Sequence, residues 1–175
     1  DLQATLRHHT WGIGWDSGIL LTEASAMQDN MYTEGLAFVG SNVEGFRLGR
    51  KDETGEERRK GDVHWASARN KYFEVALVPL SEPAEQVIFE GWQSQVGEKD
   101  AHSAYAFDLE MPLSRGNLID ASFALYMGPL QKSAMKAMPE SLEQSVMTKT
   151  ALGFMGFMWA LIRPFANIVL WVFGM

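Results

Sequence analysis

The final 25 residues constrain this chain more than any other segment. From Ala151 to Met175 the run ALGFMGFMWALIRPFANIVLWVFGM carries one charge, Arg163. A spanning helix needs roughly 20 apolar residues, so the whole run is long enough and neither side of Arg163-Pro164 is. Phe154, Met158, Leu161, Phe165, Ile168 and Val172 recur at steps of three and four, beside a narrower stripe of Gly156, Ala160, Arg163 and Asn167. That spacing gives a helix one bulky face and one small-or-polar face. Pro164 lacks an amide donor and opposes an unbroken helix, or else opens a second helix at its first position. Trp159 and Trp171 are the residue type that settles at a membrane interface, and Arg163 can reach toward phosphate head groups. Trp159, Arg163, Pro164, Phe165 and Trp171 are therefore expected at the interface, in a surface segment followed by membrane entry. Whether residues 151–175 lie on the membrane or span it stays open. A buried C-terminal helix of a soluble domain is the competing reading. Asp1 in place of an initiating Met points to a fragment or processed form, and the apolar end to a chain that continues into a transmembrane helix.

The body before this tail reads as strands. Gln86 to Gln95 sets Val87, Phe89, Gly91 and Gln93 against Ile88, Glu90 and Trp92. Ala104 to Met111 sets Tyr105, Phe107, Leu109 and Met111 against Ala106, Asp108 and Glu110. Alternation with period two is the mark of a half-buried strand. Val63 and Trp65, then Tyr72, Phe73, Val75, Leu77 and Val78, predict two strands around an Arg69-Asn70-Lys71 turn, closed by Pro79. Further strands are expected within Leu2–Leu48, at Glu34–Ser41 and Gly45–Gly49, and at Asn117–Met127. The charged run KDETGEERRKGD, Arg50 to Asp62 in the main, reads as a solvated loop. Leu130 to Met147 predicts two short helices or one interrupted at Pro139-Glu140-Ser141, with Ser141 a possible cap and Gln144 three residues on. The expected fold is mainly β, an antiparallel sandwich at residues 1–129, a helical linker at 130–150 and the membrane segment at 151–175.

Net charge is −7, which disfavours nucleic acid as a partner. There is no cysteine, so disulfides, zinc thiolates and thiol catalysis are excluded. His8 and His9 are adjacent and would point to opposite faces of a strand, and His64 and His102 stand alone, so no metal site is expected. No phosphate loop, nucleophile elbow or dinucleotide fingerprint occurs. Asp108 and Glu110 would share a strand face and resemble a carboxylate pair for sugar chemistry, although the same spacing suits a solvent face. With Trp11, Trp15, Trp65 and Trp92 as stacking platforms, a carbohydrate-binding or carbohydrate-active sandwich is the alternative function. No cofactor is expected, and the chain is not expected to be an enzyme.

Three segments carry a family resemblance. GDVHWASARNKYFEVALVP, Gly61 to Pro79, resembles a signature region of bacterial YidC-type membrane-protein insertases, with Trp65, Tyr72, Phe73 and Pro79 its marked positions. LYMGP, Leu125 to Pro129, resembles the family's strand end at Gly128 and Pro129. IRPFANIVLWVF, Ile162 to Phe173, resembles its amphipathic segment and membrane entry. The resemblance implies a β-supersandwich with short C-terminal helices, between the first and second transmembrane helices. It implies a bacterial inner-membrane protein, with this part facing the periplasm. It further implies a role in inserting and folding membrane proteins, alone or beside the Sec translocon. The implied partners are membrane lipid, nascent membrane proteins and Sec components. The insertion groove and its basic residue belong to the membrane bundle, and Arg163 is not that residue.

Overall fold

The computed structural model of the protein describes residues 10–49, 52–96, 100–113 and 121–147. Eight strands form one antiparallel sheet: β1 (Thr10–Trp15), β2 (Glu34–Val39), β3 (Asn42–Phe46), β4 (Thr54–Arg69), β5 (Phe73–Pro79), β6 (Ala84–Val96), β7 (Asp100–Pro112) and β8 (Phe123–Pro129). Two short helices, α1 (Ala26–Asn30) and α2 (Lys132–Met135), and a 3-10 helix at Leu142–Met147 complete it. Strand order is β1-β7-β6-β4-β2-β3, with β5 beside β4 and β8 beside β5.

The 16-residue β4 lets one sheet make two layers. Its first half pairs with β6, from Thr54↔Trp92 to Lys60↔Gln86, and its second half pairs with β2 and β5. Between the halves the register shifts on both edges: Lys60↔Gln86 gives way to Val63↔Ala84, and Trp65↔Phe38 to Val63↔Val39. An extra residue on one strand bends it and tightens its twist. Gly61 sits in this bend at φ 135°, a backbone conformation that side chains rarely permit. Beyond the bend β4 lies in the second layer.

The layers enclose a core of Val63, Ala66, Ala68, Leu77, Val87, Phe89, Phe107 and Leu109, among others. Val87, Phe89, Phe107 and Leu109 are the inward members of the alternating runs at 86–95 and 104–111, as the period-two pattern predicts. Close approach is needed where the layers meet: a methyl on Gly35 would lie 2.7 Å from the Phe89 ring. Phe46 lies 5.9 Å from Phe89 and 5.7 Å from Tyr105 between ring centroids. A second core lies on the other face of β2, β4, β5 and β8. There Leu36, Trp65, Ala76, Val78 and Tyr126 pack against Met135 and Leu142 from the two C-terminal helices.

Several expectations need correction. The charged run at 50–62 is not a loop, because residues 54–62 lie within β4. Side chains two apart on a strand share a face, and here they neutralise one another: Arg58 pairs with Glu56, and Arg59 with Glu57 and Glu44. Both faces of this half are polar, so no hydrophobic alternation marks it. Gly45–Gly49 is a strand only as far as Phe46, and its pairing begins at Asn42. Ile19-Leu20-Leu21 lies outside any strand, and a helix not foreseen follows at α1. Within Asn117–Met127, residues 117–120 lie outside the described set, and β8 begins at Phe123. Residues 130–147 hold two short helices with a break between them, as one of the two readings of Leu130 to Met147 has it. Glu140 and Ser141 adopt φ 58° and 55°, which reverses the chain between them. His8, His9 and the residues expected at the interface, Trp159, Arg163, Pro164, Phe165 and Trp171, lie outside the described residues. Among the described residues no helix is long and apolar enough to cross a membrane.

Candidate functional site

The most unusual chemistry in the molecule is a buried polar junction that fastens the C-terminal helices to the sheet. Glu34 opens β2, Arg69 closes β4 directly opposite it, and Glu74, second in β5, lies opposite Arg69. All three are buried, with exposures of 6% or less. Arg69 Nε donates to Glu34 Oε1 at 2.9 Å, and its Nη2 pairs with the same oxygen. Arg47 Nε donates to Glu34 Oε2 at 2.8 Å. The remaining arm of Arg69, Nη1, donates to the Ser145 carbonyl at 2.7 Å, while the Ser145 hydroxyl donates to Glu74 Oε2 at 2.8 Å. Ser145 belongs to the 3-10 helix, so one residue of the exit segment engages both charges. A second tether lies alongside: Trp65 Nε1 donates to the Glu140 carbonyl at 3.1 Å, and His64 Nδ1 lies 3.3 Å from the Glu140 carboxylate.

Burial is the largest influence on Glu74 and pushes its carboxyl up to about 7, against the nearby Ser67 hydroxyl, the hydrogen bond from Ser145 and the charge of Arg69. The unfolded chain releases this proton near 4.5. Between those values the folded state holds more proton than the unfolded one, so this share of stability is present in acid and is lost as pH rises toward 7. Glu74→Gln cannot ionise. It is expected to match the parent near pH 5 and to exceed it by about 3 kcal/mol at pH 8. Urea unfolding of both proteins at the two pH values checks this. A difference independent of pH would contradict it.

The β4-β5 hairpin tip is built by Asn70, which is fully buried. Its side-chain oxygen accepts from the amides of Tyr72 (2.9 Å) and Phe73 (2.8 Å), and its amide nitrogen reaches back to the Leu20 carbonyl at 3.2 Å. Asn supplies such a turn because its side chain replaces a backbone acceptor. Buried Asp29 holds the adjoining loop, accepting from the amide (3.1 Å) and hydroxyl (3.0 Å) of Thr22. Sequence reasoning found the turn at residues 69–71 and missed the partners of Arg69, which come from β2 and from 76 residues downstream.

The sequence-marked residues fall into separate places. Trp65 is fully buried in the second core, which corrects the expectation of an exposed stacking platform: its ring fills the space under α2 and the 3-10 helix. Tyr72 and Phe73 are exposed at the hairpin tip. Pro79 closes β5 opposite Phe123, Gly128 lies opposite Glu74, and Pro129 ends β8 opposite Phe73. Tyr126 donates to the Pro129 carbonyl at 2.5 Å and fixes that strand end.

Asp108 and Glu110 do share a face, on the outer side of β7. They line a shallow groove of about 570 Å³ with Thr10, Gly12, Arg58, Lys60 and Gln86, and Asp108 also borders a neighbouring hollow of about 470 Å³. Gly12 and Gly14 on β1 leave room for Asp108: a methyl on Gly14 would lie 2.1 Å from the Phe107 carbonyl oxygen and one on Gly12 2.5 Å from the Asp108 carboxylate. Burial first, then the charges of Glu110 and Glu90, raise the Asp108 carboxyl. Trp11 and Trp15 pack against the first core, and Trp11 also borders the groove and Trp15 the neighbouring hollow. No group of three or more potential metal-ligating side chains occurs among the described residues.

Comparison with known proteins gives a consistent result. The family described as YidC periplasmic domain matches residues 14–165. A protein named membrane protein insertase YidC from Chlorobium luteolum is 28% identical over 175 residues, covering 97% of this chain and 27% of the relative. A protein of the same name from Chlorobium phaeovibrioides is 30% identical over 168 residues, covering 95% of this chain and 27% of its own length. A third, from Chloroherpeton thalassium, is 28% identical over 159 residues, covering 89% of this chain and 25% of the relative. The chain thus spans about a quarter of the length of the curated relatives it matches. No solved structure matches. Nothing in these matches supports a carbohydrate-binding or carbohydrate-active sandwich. The match runs from β1 past the buried junction into the apolar segment, and on that extent the chain belongs to the YidC periplasmic domain family.

Proposed function

We propose that the chain is the platform of a membrane-protein insertase, a transport module and not an enzyme. It stands on the periplasmic face of the inner membrane and aids insertion and folding of membrane proteins, alone or beside the Sec translocon. The observation that carries this reading is the family match, which continues through the exit helix into the apolar tail. On this reading residues 1–129 form a β-supersandwich, 130–150 the linker and 151–175 the interfacial segment and membrane entry. Trp159, Arg163, Pro164, Phe165 and Trp171 then meet the lipid head groups.

The buried junction gives the platform a mechanical role. A 3-10 helix held only by exposed contacts would fray, because short helices draw their stability from tertiary packing. Here Arg69, Glu74 and Trp65 hold it against the sheet. Insertion itself requires a polar path through hydrocarbon, which lowers the cost of moving polar segments across it. That path lies in the membrane-embedded part of the full-length protein. The test is reconstitution of the full-length protein in vesicles with a small single-span substrate. Protease-protected substrate is the expected result. Substrate no more protected than in empty vesicles would overturn the reading.

A further inference from the structure

Six of the large apolar side chains that this molecule leaves exposed gather at one end. They are Leu20, Met27, Met31, Tyr32, Tyr72 and Phe73, with Leu20 86%, Met27 71% and Met31 61% exposed. Side-chain contacts hold the segments bearing them together. Asn70 ties the Leu20 backbone to the hairpin tip that carries Tyr72 and Phe73. Lys71 lies 5.9 Å from the Tyr32 ring centre and 4.9 Å from that of Tyr72. Met27 and Met31 stand one helical turn apart at α1 and its cap. Scattered single apolar residues need no explanation, but a contiguous group marks an interaction surface.

The exit of the chain identifies what covers this surface. Arg47 donates through Nη1 to the Met31 carbonyl at 2.9 Å and through Nε to Glu34, and Glu34 holds Arg69, whose other arm holds Ser145. Side-chain bonds therefore link Ser145 of the 3-10 helix to the segment that carries Met31. Four residues after Met147 the sequence enters the apolar run 151–175, and four residues reach at most about 14 Å. If that run meets the membrane, this end of the sandwich lies against it. Its chemistry fits: tyrosine rings with a lysine over them and flexible methionines are groups that settle among lipid head groups and acyl ends.

We propose that the end of the sandwich formed by Leu20, Met27, Met31, Tyr32, Tyr72 and Phe73 is a second lipid contact, seating the domain on the bilayer beside its apolar tail. This rests on the platform reading above. The chain has no cysteine, so a nitroxide can be placed on Met27→Cys, Met31→Cys or, as a reference, Ser41→Cys. Ser41 lies beyond the far end of β2, roughly 17 Å of strand from Glu34. The full chain is bound to phosphatidylcholine and phosphatidylglycerol vesicles, and label collisions with oxygen and with a water-soluble nickel chelate are measured. Labels at 27 and 31 are expected to gain oxygen collisions and lose nickel collisions several-fold on vesicle binding, with the label at 41 unchanged. Labels at 27 and 31 as nickel-accessible as at 41 on vesicle-bound protein would overturn this proposal and leave the platform reading intact. No vesicle binding at all would overturn both. Dipolar broadening at 27 and 31 without vesicles would assign the patch to a second copy of the chain, and would overturn the lipid assignment.

Discussion

Replacing Arg69 by methionine is expected to remove about 3–5 kcal/mol of folding stability. Arg69 is 6% exposed and lies between two buried carboxylates, Glu34 at 1% and Glu74 at 0%. A buried pair contributes little net when made, because desolvating both ions offsets their attraction. Breaking it is costly, because the carboxylates stay buried and lose the cation. Glu74 would be driven further toward its protonated form, since Arg69 is one of the groups restraining its rise. The same substitution removes the donor to the Ser145 carbonyl. Amides of residues 142–147 should then exchange with solvent well before the sheet unfolds. The control is Arg58→Met. Arg58 pairs with Glu56 at 2.8 Å, but both side chains are at least 50% exposed, and exposed pairs are worth about 0–1 kcal/mol. Equal losses in the two variants, read by denaturant unfolding, would contradict the account.

Trp65→Ala is expected to cost about 3–5 kcal/mol, the usual range for emptying a large aromatic site in a core. Trp65 is fully buried and faces Met135 and Leu142, so the void would open under the two exit helices. Those helices are four and six residues long, and helices so short draw their stability from such packing. Trp65→Phe retains most of the volume and loses the Nε1 bond to the Glu140 carbonyl. Its expected cost is about 1–3 kcal/mol, the scale of a buried acceptor left without its donor together with partial loss of packing. A Phe variant as unstable as the Ala variant would place the energy in the hydrogen bond and not in the packing.

The parts of the fold with one buried face were legible from sequence. β6 up to Trp92 and β7 from Phe107 onward alternate because their inner members meet one core and their outer members are more open to solvent. The Asn70 turn was legible because its chemistry is local. The first half of β4 was not, because both of its faces are polar; yet the order Glu56-Glu57-Arg58-Arg59 places each Glu two residues before an Arg, a signal for a strand with charge pairs on both faces. The α1 region was hidden for another reason. Its five residues carry no side-chain cap, and buried Asp29 and the Asn30 bonds to β7 hold it there. The buried junction could not be read at all. Arg69 reaches Glu34 across 35 residues and Ser145 across 76, and no local pattern encodes either contact.

The central claim is that a self-standing β body is carried to the membrane by the segment that leaves it at the buried junction. Vesicle flotation of the full chain beside a chain ending at Thr150 tests it most directly, with far-ultraviolet circular dichroism read on both. The full chain should float with the vesicles. The shortened chain should keep a β spectrum and remain mostly in the aqueous fraction, since the exposed apolar end alone offers a weaker contact than the 25-residue tail. A shortened chain that is unfolded, or that floats as completely as the full one, would contradict the account.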